Sequence, residues 1–496
     1  MVLMSSKSTP EISIRDFGII AFVVLLIAFI YLITSHFTYA IGFPLDDSWI
    51  HQTYARSLAQ NGEWAFRPGI PSAGSTSPLW SALLSIGFLI NLSPYIWSYF
   101  LGVLILFLLA VLCEWAVRTL IDSYRPKFPW VGIFIAIEWH LVWAAMSGME
   151  TLLHGFIVTA VLILLMTHSP RYLTLGLLAG LSVWIRPDGL TLLAPIALTI
   201  FFNEGDMFSR LKSLLRCLIG FGSIFLFYLL FNLAIGGTPM PNTFYAKQAE
   251  YASWQTIPMI ERLGQMSLQL LVSSSLALLP GVIGWIVKSV REKMWGNIAA
   301  ILWCFGYLYL YTSRLPVYQH GRYLMPAMPI FFLFGLLAFA EFDKSKLFKR
   351  YHWIGQTIWR GSIAMLAFGF IFLGAQSYAQ DVGVIESEMV VTAKWVAENV
   401  PAGATIAAHD IGALGYFDSH PLIDLAGLIS PEVIPFIRDE TQLAEFLNES
   451  GADYLIAFPS FYPELTASAE VAFVTGSPIT LALDEPNMTV YLWKRP

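Results

Sequence analysis

The stretch PLWSALLSIGFLINL, residues 78–92, decides how the chain is threaded. It is apolar but only 15 residues long, short of the ~20 residues a helix needs to cross a bilayer. Counted as a span, it would reverse every later loop and place Arg118, Arg125 and Lys127 on the outer side. Read instead as a re-entrant or interfacial helix that returns to its own side, it leaves eleven candidate spans. These are 17–36, 95–117, 130–146, 151–167, 173–185, 189–203, 217–235, 264–287, 296–312, 323–341 and 354–377. Several are short, so their ends run into flanking polar residues or the helices pack short.

Basic residues test this threading. The segments assigned inside (1–16, 118–129, 168–172, 204–216, 288–295 and 342–353) hold sixteen of the 28 Lys and Arg. Outside segments before residue 380 hold seven: Arg56, Arg67, Arg186, Lys247, Arg262, Arg314 and Arg322. Cytoplasmic loops carry the excess of Lys and Arg, so the N-terminus is expected in the cytoplasm and the C-terminal part outside the plasma (inner) membrane.

Composition agrees. Of 496 residues 56% are hydrophobic and only 12% charged, about half the charged share of a soluble globular domain. The net charge of −6 argues against a nucleic-acid partner, which would want a basic face; the expected surroundings are membrane lipids. Cys113, Cys217 and Cys304 lie in apolar segments without CxxC spacing and read as buried small hydrophobes. The first apolar run lacks a small-residue cleavage pattern and reads as a retained span.

From about Gly383 the chain changes character. Short β-rich runs at 404–408, 453–457 and 489–493 alternate with helix patterns such as ESEMVVTAKWVAENV and with Gly/Pro turns. The expected fold class is an all-α polytopic membrane protein with a small C-terminal extracytoplasmic α/β domain. The domains divide at 1–380 and 381–496, with residues 37–94 as the first external loop and its juxtamembrane helices.

Ionisable groups at membrane depth cost roughly 2.5–3.5 kcal/mol each, so they line a cavity or pair. Here they gather at the outer helix ends: DD at Asp46–Asp47, SGME ending at Glu150, RPDG starting at Arg186, PMPNTFYAK ending at Lys247, SRLP starting at Ser313 and HGRYLMP starting at His320. One acid of the Asp46–Asp47 pair is explained by capping the helix that follows. Two adjacent acids exceed that need, and a carboxylate in a partly dry cleft suits a general base. Asp46 is the first choice and Asp47 the second. His51, Tyr54 and Arg56 follow on the same helix. Asp47 and His51, one turn apart, are candidate ligands for a divalent cation, against a hydrogen-bonded interfacial histidine. Glu150 pairs with Arg186 or Arg322, or binds metal with His154. Arg186 and Asp188 either pair with each other or serve the site. Lys247, His320 and Arg322 have no acidic neighbour in sequence and could clamp a phosphate. Asn242 offers a rigidly held amide for a sugar hydroxyl or phosphate oxygen. His409 and Asp410 in AAHDIGALGYF, with Asp424, form a tail loop that either reaches the cleft or stabilises a turn.

The ordered series DDSWIHQTYARSLAQNGEWAFRPGIPSAGSTSPLW (46–80), SGMET (147–151), RPDG (186–189) and PNTFYAK (241–247) resembles the GT-C superfamily of polytopic glycosyltransferases. It is most similar to cell-wall arabinofuranosyltransferases that use a polyprenyl-phosphate-arabinose donor. The resemblance implies many spans, a long first external loop carrying the catalytic acid, and inverting transfer from a lipid-phosphate-linked sugar to a glycan, lipid or protein acceptor. It places Asp46 at the expected base and Asp47 at the neighbouring acid. Gln52, Thr53 and the run Ser72–Ala73–Gly74 depart from the arabinosyl pattern. The rival class is a transporter or flippase of lipid-linked glycans, which would show mid-membrane polar groups and paired repeats; no repeat is visible.

Overall fold

The computed structural model describes residues 12–121, 124–167, 170–342 and 352–493. Helix α1 (Ile14–Thr38) opens the bundle, with the Ser13 hydroxyl accepting from the Asp16 amide as its cap. Among the described residues, five helices are long and apolar enough to cross a membrane by length and composition, or six if one bent pair counts as a span. Every predicted span coincides with a helix or a helix pair, and the chain is a multi-pass membrane protein. The basic residues Lys344, Lys346, Lys349 and Arg350, assigned inside, lie outside the described residues.

Two spans are broken where one straight helix was expected. Segment 130–146 divides into Trp130–Ile137 and Trp139–Met146. Between them Glu138 turns extended, and its carboxylate accepts from the His140 and Leu141 amides, starting a new helix. Segment 264–287 becomes Met259–Leu271 and Ser275–Arg291, bent by 105°. The break falls on three serines, where the Ser273 hydroxyl accepts from the Ser275 amide and competes with the helix ladder.

The loop after α1 carries α2 (Asp47–Asn61), which ends at Gly62 in the left-handed region (φ 71°). A short antiparallel hairpin of β1 (Ala65–Arg67) and β2 (Ile70–Pro71) follows, then α3 (Pro78–Leu89). Helix α3 has 12 residues, about 18 Å at 1.5 Å per residue, too short to cross a core of about 30 Å. It packs on α2, and the Trp80 indole donates to the Gly148 carbonyl at 2.8 Å. Helix α4 (Pro94–Leu120) then enters the bundle.

The opposite end of α1 holds a buried ion cluster. Arg118 Nη2 lies 3.0 Å from Asp16 and Nε 2.7 Å from Glu114. Glu114 also accepts from the Val131 and Gly132 amides at 3.0 Å each.

The tail folds on a five-stranded sheet of β3 (Ile406–Ala408), β4 (Leu422–Asp424), β5 (Tyr454–Ala457), β6 (Glu470–Val474) and β7 (Thr489–Leu492), in the order β4-β3-β5-β7-β6. The β4–β3–β5 pairs are parallel and β5–β7–β6 antiparallel. Its small core gathers Ala407, Leu425, Leu443, Leu447 and Leu455. No linker separates it from the bundle. Helix His352–Ile385 passes through one widened turn, Glu386–Val390, into Val391–Asn399, so the expected boundary at 380/381 falls inside continuous helix. Within that turn the Glu388 carboxylate accepts from Asn487 Nδ2 (2.7 Å) and the Met488 amide (2.9 Å), fastening the sheet to the bundle.

Candidate active site

The two adjacent acids part company. Asp46 does not cap its own helix. Its oxygens accept instead from the Gly412 amide at 2.6 Å and the Ala413 amide at 2.8 Å, which open the tail helix Gly412–Phe417. The approach is close: a Cβ on Gly412 would stand 2.0 Å from the Asp46 carbonyl oxygen. Asp46 is 8% exposed. Burial, then the charge of Asp410, pushes its carboxyl up to about 7 against the pull of the two amides.

The Asp47 side chain is 36% exposed, and its Oδ2 sits 2.7 Å from Arg322 Nη2. Burial raises its carboxyl, but the charges of Arg322 and Lys247 outweigh that and hold it below the usual carboxylate range. Arg322 and Lys247 meet at Tyr323, whose hydroxyl accepts from Arg322 Nη2 (3.1 Å) and Lys247 Nζ (3.0 Å). The Arg186 guanidinium lies over the same ring at 5.5 Å. Tyr323 thus gathers three cations from three separate helix ends.

Arg322 is aimed by an unusual backbone. Gln319 (φ 39°), His320 (φ 58°) and Gly321 (φ 71°) are all left-handed, a conformation costing roughly 1–2 kcal/mol per residue with a side chain. Such strain persists only where surroundings enforce it. His320 supplies that: its Nε2 is 2.8 Å from Asp381 Oδ2, and its ring packs against Trp139 and Trp143.

Beside this lies a second network. Glu150 Oε1 accepts from Arg186 Nη1 at 2.9 Å, and its Oε2 is 3.3 Å from His51 Nε2. His51 and Arg186 hold Glu150 below the usual range despite burial. Arg186 also reaches Asp188 (3.2 Å) and the Tyr311 hydroxyl (3.1 Å), while Asp188 accepts from Tyr311 at 2.7 Å and from Tyr307. His51 Nδ1 faces Ser81 Oγ at 3.0 Å.

These groups border one cavity of about 230 Å³, lined by Asp46, Asp47, His51, Glu150, Arg186, Lys247 and Arg322, with Glu250, Gln319, His409, Asp410 and Phe461. Five predicted residues do not border it. The Tyr54 hydroxyl is spent on Ser72 (2.7 Å) and the Gly74 amide (2.9 Å). Arg56 stacks on Tyr416 at 4.4 Å and donates to the Tyr416 and Gly415 carbonyls. Asn242 donates to the Leu428 carbonyl at 2.9 Å. Arg56 and Asn242 are therefore docking contacts for the tail. Asp188 stands behind Arg186, and His320 behind Arg322.

Both His51 nitrogens are engaged by Ser81 and Glu150, and among the described residues no three His, Cys, Asp or Glu side chains form a metal-ligand set. Asp47 faces Arg322, and His51 faces Glu150 and Ser81. Tyr323, Gln319 and Glu250 went unread in the sequence. Tyr323 and Gln319 flank the HGR motif, and that adjacency was the available signal.

Comparison with known proteins places the fold. A sequence family described as "Domain of unknown function (DUF8728)" matches residues 376–491. No curated protein matches the chain in sequence. Among solved structures, ArnT from Cupriavidus metallidurans bound to undecaprenyl phosphate superposes with a TM-score of 0.53 at 13% identity, covering 96% of this chain and 98% of that one. AglB, the archaeal oligosaccharyltransferase from Archaeoglobus fulgidus in complex with an inhibitory peptide and a dolichol-phosphate, gives 0.60 at 12%, covering 90% and 70%. The arabinofuranosyltransferase AftD from Mycobacteria gives 0.52 at 12%; 98% of this chain matches 40% of that much longer one. The fold is that of the GT-C polytopic membrane glycosyltransferases.

Proposed function

We propose that this protein is an inverting membrane glycosyltransferase. In this reading it moves an arabinofuranosyl or hexosyl residue from a polyprenyl-phosphate donor to a cell-envelope glycan, lipid or protein acceptor. The observation that carries the reading is the convergence of Asp47, Arg322 and Lys247 on one cavity from three distant segments. ArnT and AglB, which share the fold, were solved with undecaprenyl phosphate and a dolichol-phosphate respectively. The excess of Lys and Arg in the opposite loops supports an extracytoplasmic cavity in the plasma membrane, with the N-terminus cytoplasmic.

Each residue then has a task. Lys247 and Arg322 receive the lipid phosphate; Arg322 Nη1 is buried without a hydrogen-bond partner and is free to donate to it. Asp47, the acid open to the cavity, takes the proton of the acceptor hydroxyl. Asp46, with both oxygens held by amides, positions the tail instead. The acceptor oxygen attacks the anomeric carbon, and the bond from that carbon to the phosphate oxygen breaks. Its electron pair leaves with the lipid phosphate, whose charge the two cations compensate. The proton ends on Asp47. Glu150, His51 and Arg186 hold the cavity floor charged and rigid.

The test uses membranes containing the full chain, assayed with polyprenyl-phosphate arabinose and polyprenyl-phosphate hexoses. Sugar transfer that Asp47→Asn abolishes supports the reading. Movement of the lipid between leaflets without glycosidic bond formation would instead establish the transporter.

A further inference from the structure

The matched tail family has no assigned function, yet its residues border the cavity. Asp410 does so immediately after β3, and its Oδ2 is buried without a hydrogen-bond partner. A buried acceptor left unpaired costs about 1–3 kcal/mol, so this oxygen is suited to a donor that arrives with a ligand. Phe461 also borders the cavity and is 42% exposed, although it packs edge-on to His409 at 5.6 Å and against the buried Phe458. His409 itself is occupied: Nδ1 faces the Tyr462 hydroxyl at 2.8 Å and Nε2 lies 3.4 Å from Glu250, which Arg438 holds at 3.0 Å. Burial raises the Asp410 carboxyl, the adjacent His409 charge opposes this, and the charges of Asp47 and Glu250 add to the rise.

An unpaired carboxylate oxygen beside an open aromatic face fits one ligand chemistry, a sugar ring with free hydroxyls. The hydroxyls donate to the acid while the C–H face covers the apolar ring. We infer that Asp410 and Phe461 form a sugar subsite supplied by the tail. The inference rests on the glycosyltransferase reading and assigns the tail a substrate-contacting task within it. The sugar belongs either to the lipid-linked donor or to the acceptor.

The experiment uses the purified full chain in lipid nanodiscs and three probes: decaprenyl phosphate, decaprenylphosphoryl arabinofuranose and octyl arabinofuranoside as acceptor, with the mannose counterparts alongside. Asp410→Asn and the exposed Phe461→Ala should both bind decaprenyl phosphate as the natural chain does, which also reports an intact fold. If the subsite holds the donor sugar, each variant loses about tenfold in affinity for the glycosylated lipid only, the scale of one hydrogen bond to a charged group. If it holds the acceptor, KM for the octyl glycoside rises about tenfold with kcat retained. Unchanged donor affinity and unchanged acceptor KM in both variants would overturn the subsite and leave the glycosyltransferase reading standing. Failure of the natural chain to bind any of the lipids would overturn both.

Discussion

Two buried charge clusters sit at opposite ends of α1, and they are built differently. At one end Arg118 lies between Asp16 and Glu114, and Glu114 also takes two backbone amides. That cluster borders no part of the 230 Å³ cavity and ties α1, α4 and the helix from Trp130 together. At the other end Asp47, Arg322, Lys247, Arg186 and Glu150 surround that cavity. Buried charges are tolerated when paired. The first cluster lies between helices; the second faces an open cavity.

The sharpest way to break this contrast is to neutralise each cluster in turn. Asp47→Asn should lower transfer by about 10²–10⁴-fold, the range of a general base, while leaving thermal stability near that of the natural chain. Arg118→Met should do the reverse. Stranding Asp16 and Glu114 costs roughly 3–5 kcal/mol, seen as a lower Tm, with the specific activity of the folded fraction retained. If Arg118→Met abolished turnover in a fully folded protein, the division would be wrong.

Between the two effects stands Asp46, which belongs to the cavity by position and to tail docking by contact. Its carboxyl is raised to about 7 and that of Asp424 to about 6, whereas an unfolded aspartate titrates near 3.9. The folded state therefore holds more protons than the unfolded state between about pH 4 and pH 7, and stability falls as pH rises through that window. For Asp46 the change amounts to up to roughly 4 kcal/mol. Limited proteolysis of the tail across pH 4–8 should show progressive release, and Asp46→Asn should flatten the Asp46 share of the profile. A smaller effect is expected for Gly412→Ala, which forces a Cβ against the Asp46 carbonyl. Overpacking of this kind costs about 1–3 kcal/mol, so the tail should become easier to cleave at every pH.

Much of this was legible from residue patterns. Hydropathy located each apolar helix, and the short length of 78–92 matches the 12 residues of α3. The clustering of charged motifs at one set of helix ends foretold a cavity with Asp47, Glu150, Arg186, Lys247 and Arg322 on it. Asp46 does not cap the helix that follows it. It caps one 366 residues away in sequence, and no local pattern could name it. Long sequence separations also hid the tail contacts of Arg56 and Asn242. Broken helices escaped because hydropathy averages over a window, while Glu138 and Ser273 act through single hydrogen bonds. Strand β4, flanked by Pro421 and the polar turn after Asp424, and the exposed edge strand β6 carried too little apolar alternation to stand out. Asp381, the partner of His320, lay just beyond the last predicted span and offered no motif.

The central claim is that Lys247 and Arg322 hold a lipid phosphate beside Asp47. A cryo-EM structure of the full chain with a non-hydrolysable polyprenyl-phosphate sugar would test it most directly. The account predicts the phosphate within hydrogen-bond distance of Lys247 Nζ and Arg322 Nη1, with the anomeric carbon facing Asp47. A phosphate seated elsewhere, such as among the basic residues Arg125, Lys127 and Arg360 that border a separate groove, would contradict it.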